Sequence, residues 1–222
     1  MINYADINIE IKQWQRLFLG RTIGDISFAV VTPLYHAYRD LYLRSGCVKD
    51  YVDGFYYNAD IVNHRERGIL ICLPQGVASQ DVMYLFRSTP ILFFGFAGGM
   101  NSSVKIGDIV TVNEAITDTS NLLRLSPLSN LPVVRGAYSP CFLGKPAALC
   151  QNAALEKQAD VVDMELVSCA EACAENGNSL QALLIITDLP GKTEAWMCTE
   201  IEQRKIAEAF QKALGIIVKE VF

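Results

Sequence analysis

Residues 183–188 form the apolar run Leu183-Leu184-Ile185-Ile186-Thr187-Asp188, which ends in an acid. Four consecutive apolar residues predict a strand that is covered on both faces of a sheet. A second acid is placed in the same way, because Glu165 ends the strand-like stretch Val161-Val162-Asp163-Met164-Glu165. Charged side chains at such strand ends are rarely there for packing. The sequence therefore offers two carboxylates, Glu165 and Asp188, for separate tasks.

Alternating strand and helix patterns predict an α/β domain. Strand patterns cover residues 26–32, 54–62, 68–73, 91–96, 108–115, 131–134 and 182–187, and helical patterns cover residues 33–43, 79–86, 146–158, 166–175 and 200–218. Several strand segments are continuous apolar runs, which indicates a largely mixed or parallel sheet with helices on both sides. Ligands of such folds bind beyond the strand ends, so a site is expected there.

The composition predicts one domain. The chain has 222 residues, of which 51% are hydrophobic, and no linker or repeat divides it. We expect a single domain over residues 1–222, with residues 1–25 as a candidate N-terminal extension. A net charge of −5 without a basic cluster argues against a nucleic-acid partner. The apolar runs are shorter than the roughly 20 residues that cross a membrane, and residues 1–12 lack a signal-peptide pattern, so we expect a cytoplasmic protein.

The cysteines and histidines do not form a metal-binding pattern. The chain has seven cysteines without a CxxC pair and only two histidines, so we expect no structural zinc site. Cys169 and Cys173 lie four residues apart on a predicted helix. We interpret them as small buried hydrophobes rather than as a redox pair.

A glycine-rich segment, Gly95-Phe96-Ala97-Gly98-Gly99, follows one of the apolar strands. Its glycines would let the backbone approach a ligand closely or adopt positive φ. The segment lacks the spacing of a dinucleotide site and the lysine of a phosphate-binding loop. Taken alone, it is equally consistent with a tight turn between a strand and a loop.

Three motifs in order carry a family resemblance: the glycine-rich segment with Ile106-Gly107-Asp108-Ile109-Val110, then Val162-Asp163-Met164-Glu165, then Ile186-Thr187-Asp188. Together they resemble the nucleoside phosphorylase and nucleosidase superfamily, and most closely its methylthioadenosine/S-adenosylhomocysteine nucleosidases and futalosine hydrolases. The resemblance covers about residues 68–190. It implies a three-layer α/β sandwich around a central mixed, partly barrel-like sheet. It also implies hydrolysis of the N-glycosidic bond of a purine-type nucleoside or thionucleoside without a metal or cofactor, by a homo-oligomer, with a dimer favoured.

The resemblance also assigns roles to individual residues. Asp188 would protonate the departing base, because a base that leaves a ribose carries negative charge. Glu165 would accept hydrogen bonds from the ribose hydroxyls, and Met164 would pack against the sugar. Phe142 would stack on the base, and Leu143 would present its backbone to the base edge. The substrate would also contact the glycine-rich segment at Gly95, Phe96, Ala97 and Gly98.

Each acid also has a purely structural interpretation. Asp163 is well placed to cap the following helix, and Glu165 could be a first-turn residue favoured by the helix dipole. Asp188 begins an Asp-Leu-Pro-Gly sequence that is typical of a turn.

Two positions depart from the family pattern. The water-activating glutamate expected after the first strand is replaced, at the nearest position, by Ala37. The neighbouring His36 could act as a base near neutral pH, although an exposed helical histidine is the simpler interpretation. Phe96 replaces a small hydroxyl residue and could fill the space of the nucleophile. Phosphorolysis, or nucleoside binding without catalysis, therefore remain alternatives to hydrolysis.

Overall fold

The central sheet is built from the apolar runs of the sequence. The protein was analysed as a computed structural model, which describes residues 10–43, 48–54, 56–63, 67–117, 119, 121–139 and 158–221. The strands are β1 (Phe28–Thr32), β2 (Val48–Asp53), β3 (Asn58–Asn63), β4 (Arg67–Cys72), β5 (Pro90–Gly99), β6 (Ile109–Ile116), β7 (Leu122–Arg124), β8 (Val133–Tyr138), β9 (Val161–Asp163) and β10 (Ser179–Asp188). The helices are α1 (Ile11–Leu19), α2 (Tyr35–Leu43), α3 (Gln80–Met83), α4 (Leu166–Asn176) and α5 (Glu200–Val221). Single 3₁₀ turns lie at Gly76–Ser79 and Ala195–Met197.

The sheet closes on itself at one side and stays open at the other. Its strand order is β10-β6-β8-β9-β5-β1-β4-β3-β2, and β10 also pairs with β5. Strands β10, β6, β8, β9 and β5 therefore form a closed ring, from which β1, β4, β3 and β2 extend as an open sheet. Parallel and antiparallel pairs both occur. The predicted mixed, partly barrel-like sheet is confirmed.

Helices cover both faces of this sheet, as its continuous apolar strands require. One core cluster joins the sheet to α3 and α4, through residues such as Val82, Met83 and Leu166. A second cluster joins the opposite face to α2 and α5, through residues such as Tyr38 and Ala213. The predicted three-layer arrangement is therefore confirmed as well.

One edge of strand β5 pairs with two different strands, and the sheet has a gap between these two pairings. Strand β10 follows one edge of β5 from Pro90 to Gly98. The other edge pairs with β1 at residues 91–93 and with β9 at residues 98–99. Between these pairings no described strand pairs with residues 94–97 on that edge. An opening therefore lies beside this stretch of β5, between β1 and β9.

The glycine-rich segment belongs to β5 itself, so its interpretation as a turn is wrong. The extended chain continues to Gly99 rather than ending at Phe96. A Cβ atom at Gly98 would lie 2.7 Å from Pro190 Cγ, and one at Gly99 would lie 2.8 Å from Leu189 Cδ2. The glycines are needed for this close approach of the chain after β10, and not for a positive φ.

Several other elements of the structure also differ from the elements predicted from the sequence. The sequence patterns did not predict α1, β2 or β7, and the helix expected at residues 79–86 is shortened to the four residues of α3. The helix expected at residues 146–158 lies outside the described residues except for its last position. Helix α1 packs on the core through Leu19 and through Gln15, whose Nε2 donates to Leu85 O at 3.1 Å.

No helix in the described ranges is both long enough and apolar enough to span a membrane. Cys169 and Cys173 are free thiols, fully buried on α4. Burial raises the pKa of the Cys173 thiol to about 12, so the thiol stays protonated at neutral pH. The interpretation of both cysteines as core residues is confirmed.

Candidate active site

A cavity of about 420 Å³ occupies the gap beside β5. This volume lies in the usual range of small-molecule sites. The chain enters the gap directly after β1, where Leu34 N donates to Thr32 Oγ1 at 3.0 Å. The lining residues come from β5, from the ends of β1, β4, β9 and β10, and from the 3₁₀ turn after β10 and the start of α5. They are Pro33, Leu34, Gln75, Phe96, Asp163, Met164, Glu165, Thr187, Ala195, Cys198, Gln203 and Ile206.

The three sequence motifs meet at Gly98. In the sheet register Gly98 is opposite Asp188 of β10 on one side and Val162 of β9 on the other. Asp188 Oδ2 lies 3.2 Å from the position that a Cβ atom of Gly98 would take. The segment carrying Glu165 and the segment carrying Asp188 are therefore neighbours of the same short stretch of β5.

The buried Glu165 is held by a backbone amide from another element. Its Oε1 accepts a hydrogen bond from Gly76 N at 2.7 Å, and the residue is 5% exposed. Asp163 caps α4, because its Oδ1 accepts from Glu165 N at 2.8 Å and from Leu166 N at 2.5 Å. The capping interpretation of Asp163 is therefore confirmed. Since Asp163 satisfies the first amide of α4, at Leu166, the side chain of Glu165 does not cap the helix, and Glu165 is a lining residue of the cavity.

Asp188 is fully buried beneath the cavity wall. Its Oδ1 accepts from Thr187 Oγ1 at 3.0 Å, and Thr187 lines the cavity. The register of β10 against β5 shifts between Ile186 and Asp188, so Thr187 is the extra residue of a bulge. A bulge re-aims side chains at a strand end. The turn after Asp188 is closed by backbone bonds, with Leu189 N donating to Thr193 O at 2.7 Å.

Phe96 forms part of an apolar wall of the cavity. Its neighbours on this wall include Leu34 and Ile206. Its ring meets the ring of Phe210 on α5 edge-on, with centroids 6.3 Å apart. The bulky side chain that the sequence placed near the nucleophile therefore lies beside the cavity, packed against α5.

Other expected site residues lie elsewhere. Ala97 is buried in the core cluster with α4, and a Cβ atom at Gly95 would meet the ring of Phe93 at 3.0 Å. Both positions face away from Phe96, as alternation along a strand requires. His36 and Ala37 are exposed on α2. Phe142 and Leu143 lie outside the described residues.

Several lining residues were not identified from the sequence. Leu34, Gln75 and Thr187 each follow or end an apolar strand, which is the only signal that could have indicated them. Cys198, Gln203 and Ile206 carry no such signal, because they reach the cavity only through the packing of α5 and of the segment that leads into it. Cys198 Sγ donates to Thr187 O at 3.3 Å, and burial raises the pKa of this thiol.

The charges around the cavity are negative. Asp163 and Glu165 are its charged lining residues, and no lysine, arginine or histidine of the described residues lines it. Arg39, on α2, is instead paired with the buried Asp60, with Nε and Oδ2 2.9 Å apart. Arg21 pairs with Asp50 on the exposed surface. In the described part of the chain, no group of three or more His, Cys, Asp or Glu side chains could hold a metal ion.

A larger groove of about 760 Å³ lies between α5 and the starts of β6 and β8. It is lined by exposed charges of both signs, including Lys105, Lys205 and Glu208. Neither Glu165 nor Asp188 reaches it. We therefore place the candidate site in the smaller cavity, where the three motifs meet.

Comparison with known proteins identifies the fold. No family model and no curated protein sequence matches the chain. Among solved structures, a futalosine hydrolase mutant of Helicobacter pylori has a TM-score of 0.65 at 15% identity, over 86% of this chain and 98% of that one. The chain has the nucleosidase fold.

Further structures of this fold match equally well. A methylthioadenosine/S-adenosylhomocysteine nucleosidase of Campylobacter jejuni has a TM-score of 0.66 at 16% identity, over 88% of this chain and 98% of that one. A methylthioadenosine nucleosidase of Arabidopsis thaliana has a TM-score of 0.63 at 16% identity, over 86% of this chain and 96% of that one. The resemblance expected from the three motifs is confirmed at the level of the fold.

Proposed function

We propose that the chain hydrolyses the N-glycosidic bond of a purine-type nucleoside or thionucleoside. The observation that carries the proposal is the junction at Gly98, where the segments of Glu165 and Asp188 meet beside one cavity. A cavity of about 420 Å³ suits a small molecule. The nucleosidases with this fold act on substrates of this class, according to their names.

Glu165 would hold the ribose. A carboxylate accepts hydrogen bonds from two neighbouring hydroxyls, and its negative charge favours the positive charge that develops on the sugar as the bond breaks. The bond from Gly76 N limits the rotation of this carboxylate. Met164, beside it on the wall, would pack against the apolar face of the sugar.

Asp188 would deliver the proton to the base. A departing purine gains negative charge, and protonation of a ring nitrogen lowers the barrier to its departure. Asp188 is fully buried, which keeps competing water away from the proton. Thr187 connects it to the cavity, since Thr187 is a lining residue and its hydroxyl donates a hydrogen bond to Asp188.

The electrostatics favour water over phosphate as the nucleophile. A phosphate anion requires cationic or amide donors, commonly arginine. No basic side chain of the described residues lines the cavity, and two carboxylates do. A phosphate ion in this cavity would therefore be repelled, whereas neutral water would not.

Nucleoside binding without turnover is the second candidate. It is favoured by the positions and hydrogen bonds of Asp163 and Glu165, the two carboxylates that line the cavity among the described residues. Both accept hydrogen bonds from backbone amides, and neither lies after β1, where the resemblance expects the water-activating glutamate. Turnover would then require a base from residues outside the described ranges or from a second subunit.

Base release decides between these functions. We expect free base from at least one of adenosine, inosine, methylthioadenosine and futalosine, measured by chromatography with and without phosphate. Asp188→Asn should lower the rate by about 100-fold or more, which is the usual contribution of a general acid. Asp25→Asn, an exposed acid, is the matched control and should retain the rate. Release only with phosphate would select phosphorolysis, and binding without release would select the non-catalytic function.

A further inference from the structure

The residue that fixes Glu165 is a glycine in a left-handed conformation. Gly76 opens the 3₁₀ turn Gly76–Ser79, shortly after β4, with a φ of +72°. A Cβ atom at this position would meet no other atom within 4 Å. Space is therefore not what demands a glycine here. A glycine is favoured here because the left-handed backbone conformation costs residues with a side chain free energy.

This conformation points the Gly76 amide at the Glu165 carboxylate. The N–H donates to Oε1 at 2.7 Å, in a bond between residues 89 positions apart in sequence. Hydrogen bonds to an ionised acceptor are stronger than neutral ones, and Glu165 is 5% exposed, so water competes little. One carboxylate oxygen is thereby fixed in direction.

The same turn also contacts the main chain of Glu165. Ser79 Oγ, at the end of the turn, donates to Glu165 O at 3.5 Å, and Cys169 Sγ donates to Ser79 Oγ at 3.5 Å. Ser79 and Cys169 are fully buried. The 3₁₀ turn therefore holds residue 165 at its carboxylate and at its backbone.

We propose that Gly76 is a positioning residue that makes the site selective for an intact ribose. The inference rests on the proposed role of Glu165. A carboxylate that binds a vicinal diol must present its oxygens to both hydroxyls at once, and a free glutamate side chain has three torsions that disturb this alignment. A residue that cannot hold a φ of +72° turns the N–H away and removes this hydrogen bond from the carboxylate.

The test compares nucleosides that differ only in the sugar. The affinities for adenosine and 2′-deoxyadenosine are measured by calorimetry with Asp188→Asn added to the wild type and to each variant, so that cleavage does not interfere. The values of kcat and KM are measured without this change, for whichever nucleoside the wild type cleaves. We expect Gly76→Ala to weaken adenosine binding roughly ten-fold, which is the scale of the left-handed penalty, and to leave 2′-deoxyadenosine binding nearly unchanged. KM should rise more than kcat falls.

Two further glycine variants separate positioning from stability. Gly76→Asn should recover part of the ribose preference, because asparagine adopts left-handed φ more readily, as Asn130 does in this chain at 63°. Gly177→Ala carries the same strain at a φ of +66°, at the far end of α4, and should lose thermal stability without changing the preference. A ribose preference that survives in Gly76→Ala overturns the inference.

The variant Glu165→Gln shows whether a negative result concerns the positioning role of Gly76 or the proposed role of Glu165. If the wild type prefers ribose and Glu165→Gln abolishes the preference while Gly76→Ala keeps it, Glu165 holds the sugar but Gly76 does not position it. If the wild type has no ribose preference, or if Glu165→Gln keeps it, the role of Glu165 is wrong and the inference falls with it.

Discussion

Gly98 illustrates how one missing side chain shapes the candidate site. A Cβ atom there would lie 2.7 Å from Pro190 Cγ and 3.2 Å from Asp188 Oδ2. We expect Gly98→Ala to displace the segment 188–190, to destabilise the fold by about 1–3 kcal/mol as overpacking does, and to lower kcat/KM at least ten-fold. Urea unfolding and base release measure the two effects.

The control for Gly98→Ala is a glycine with open surroundings. Gly215 lies on α5, and a Cβ atom there would meet no other atom within 4 Å. Gly215→Ala should stabilise the helix by up to about 1 kcal/mol and leave activity unchanged. Full activity in Gly98→Ala would contradict the placement of Asp188 in the catalytic site.

At the scale of single residues, the sequence indicated the acids Glu165 and Asp188 but not the residues that bond to them. Glu165 and Asp188 could be identified because charged groups that end apolar runs are unusual. Gly76 could not, because its amide meets Glu165 across 89 positions of sequence and nothing local marks the contact. Thr187 entered the sequence analysis only as part of a motif, without a role of its own, yet it links Asp188 to the cavity.

At the scale of elements, the start of α4 depends on Asp163. Replacing Asp163 by Ala leaves the amides of Glu165 and Leu166 without their acceptor. We expect a loss of about 1–2 kcal/mol of stability, together with weaker ribose binding because Glu165 begins the same turn. Asp163→Asn keeps an acceptor oxygen and is the matched control. Equal unfolding midpoints for the two variants, measured in urea, would refute this role of the carboxylate.

The elements that the sequence predicted well are those with one dominant signal. Strand β10 and helix α4 start and end within three residues of expectation, because their apolar patterns are long or end at a clear breaker such as Gly177. Strand β5 was expected to end at Phe96, because glycines disfavour strands. In the fold, the close approach of Leu189 and Pro190 outweighs that local preference.

At the scale of the molecule, the cavity is a product of topology. Strands β1 and β9 share one edge of β5, at residues 91–93 and 98–99, and the gap between them becomes the site. Strand β9 is only three residues long, so no sequence pattern reveals that it completes the ring through β8 and β5. The family resemblance supplied the closed sheet, whereas periodicity alone supplied only an α/β class.

The assembly expected from the resemblance, a homodimer, is consistent with the surface near the cavity. Val77 is 55% exposed beside the lining residue Gln75, and Met197 and Ile201, at 59% and 68%, flank the lining residue Cys198. Exposed apolar side chains this close in sequence to lining residues favour a partner surface at the cavity. We therefore predict a dimer in solution that covers this opening with a second copy of the chain.

Ile201→Lys tests the dimer. In a monomer this exposed position should change stability by no more than about 0.5 kcal/mol, whereas a charge buried in an interface is strongly unfavourable. We expect light scattering coupled to size-exclusion chromatography to give the mass of two chains for the wild type and of one chain for the variant. Val218→Lys, at an apolar position that is 39% exposed on the last turns of the same helix, is the control and should leave the mass at two chains. A wild type with the mass of one chain at micromolar concentration would exclude the dimer, and an unchanged mass for Ile201→Lys would move the interface away from the cavity.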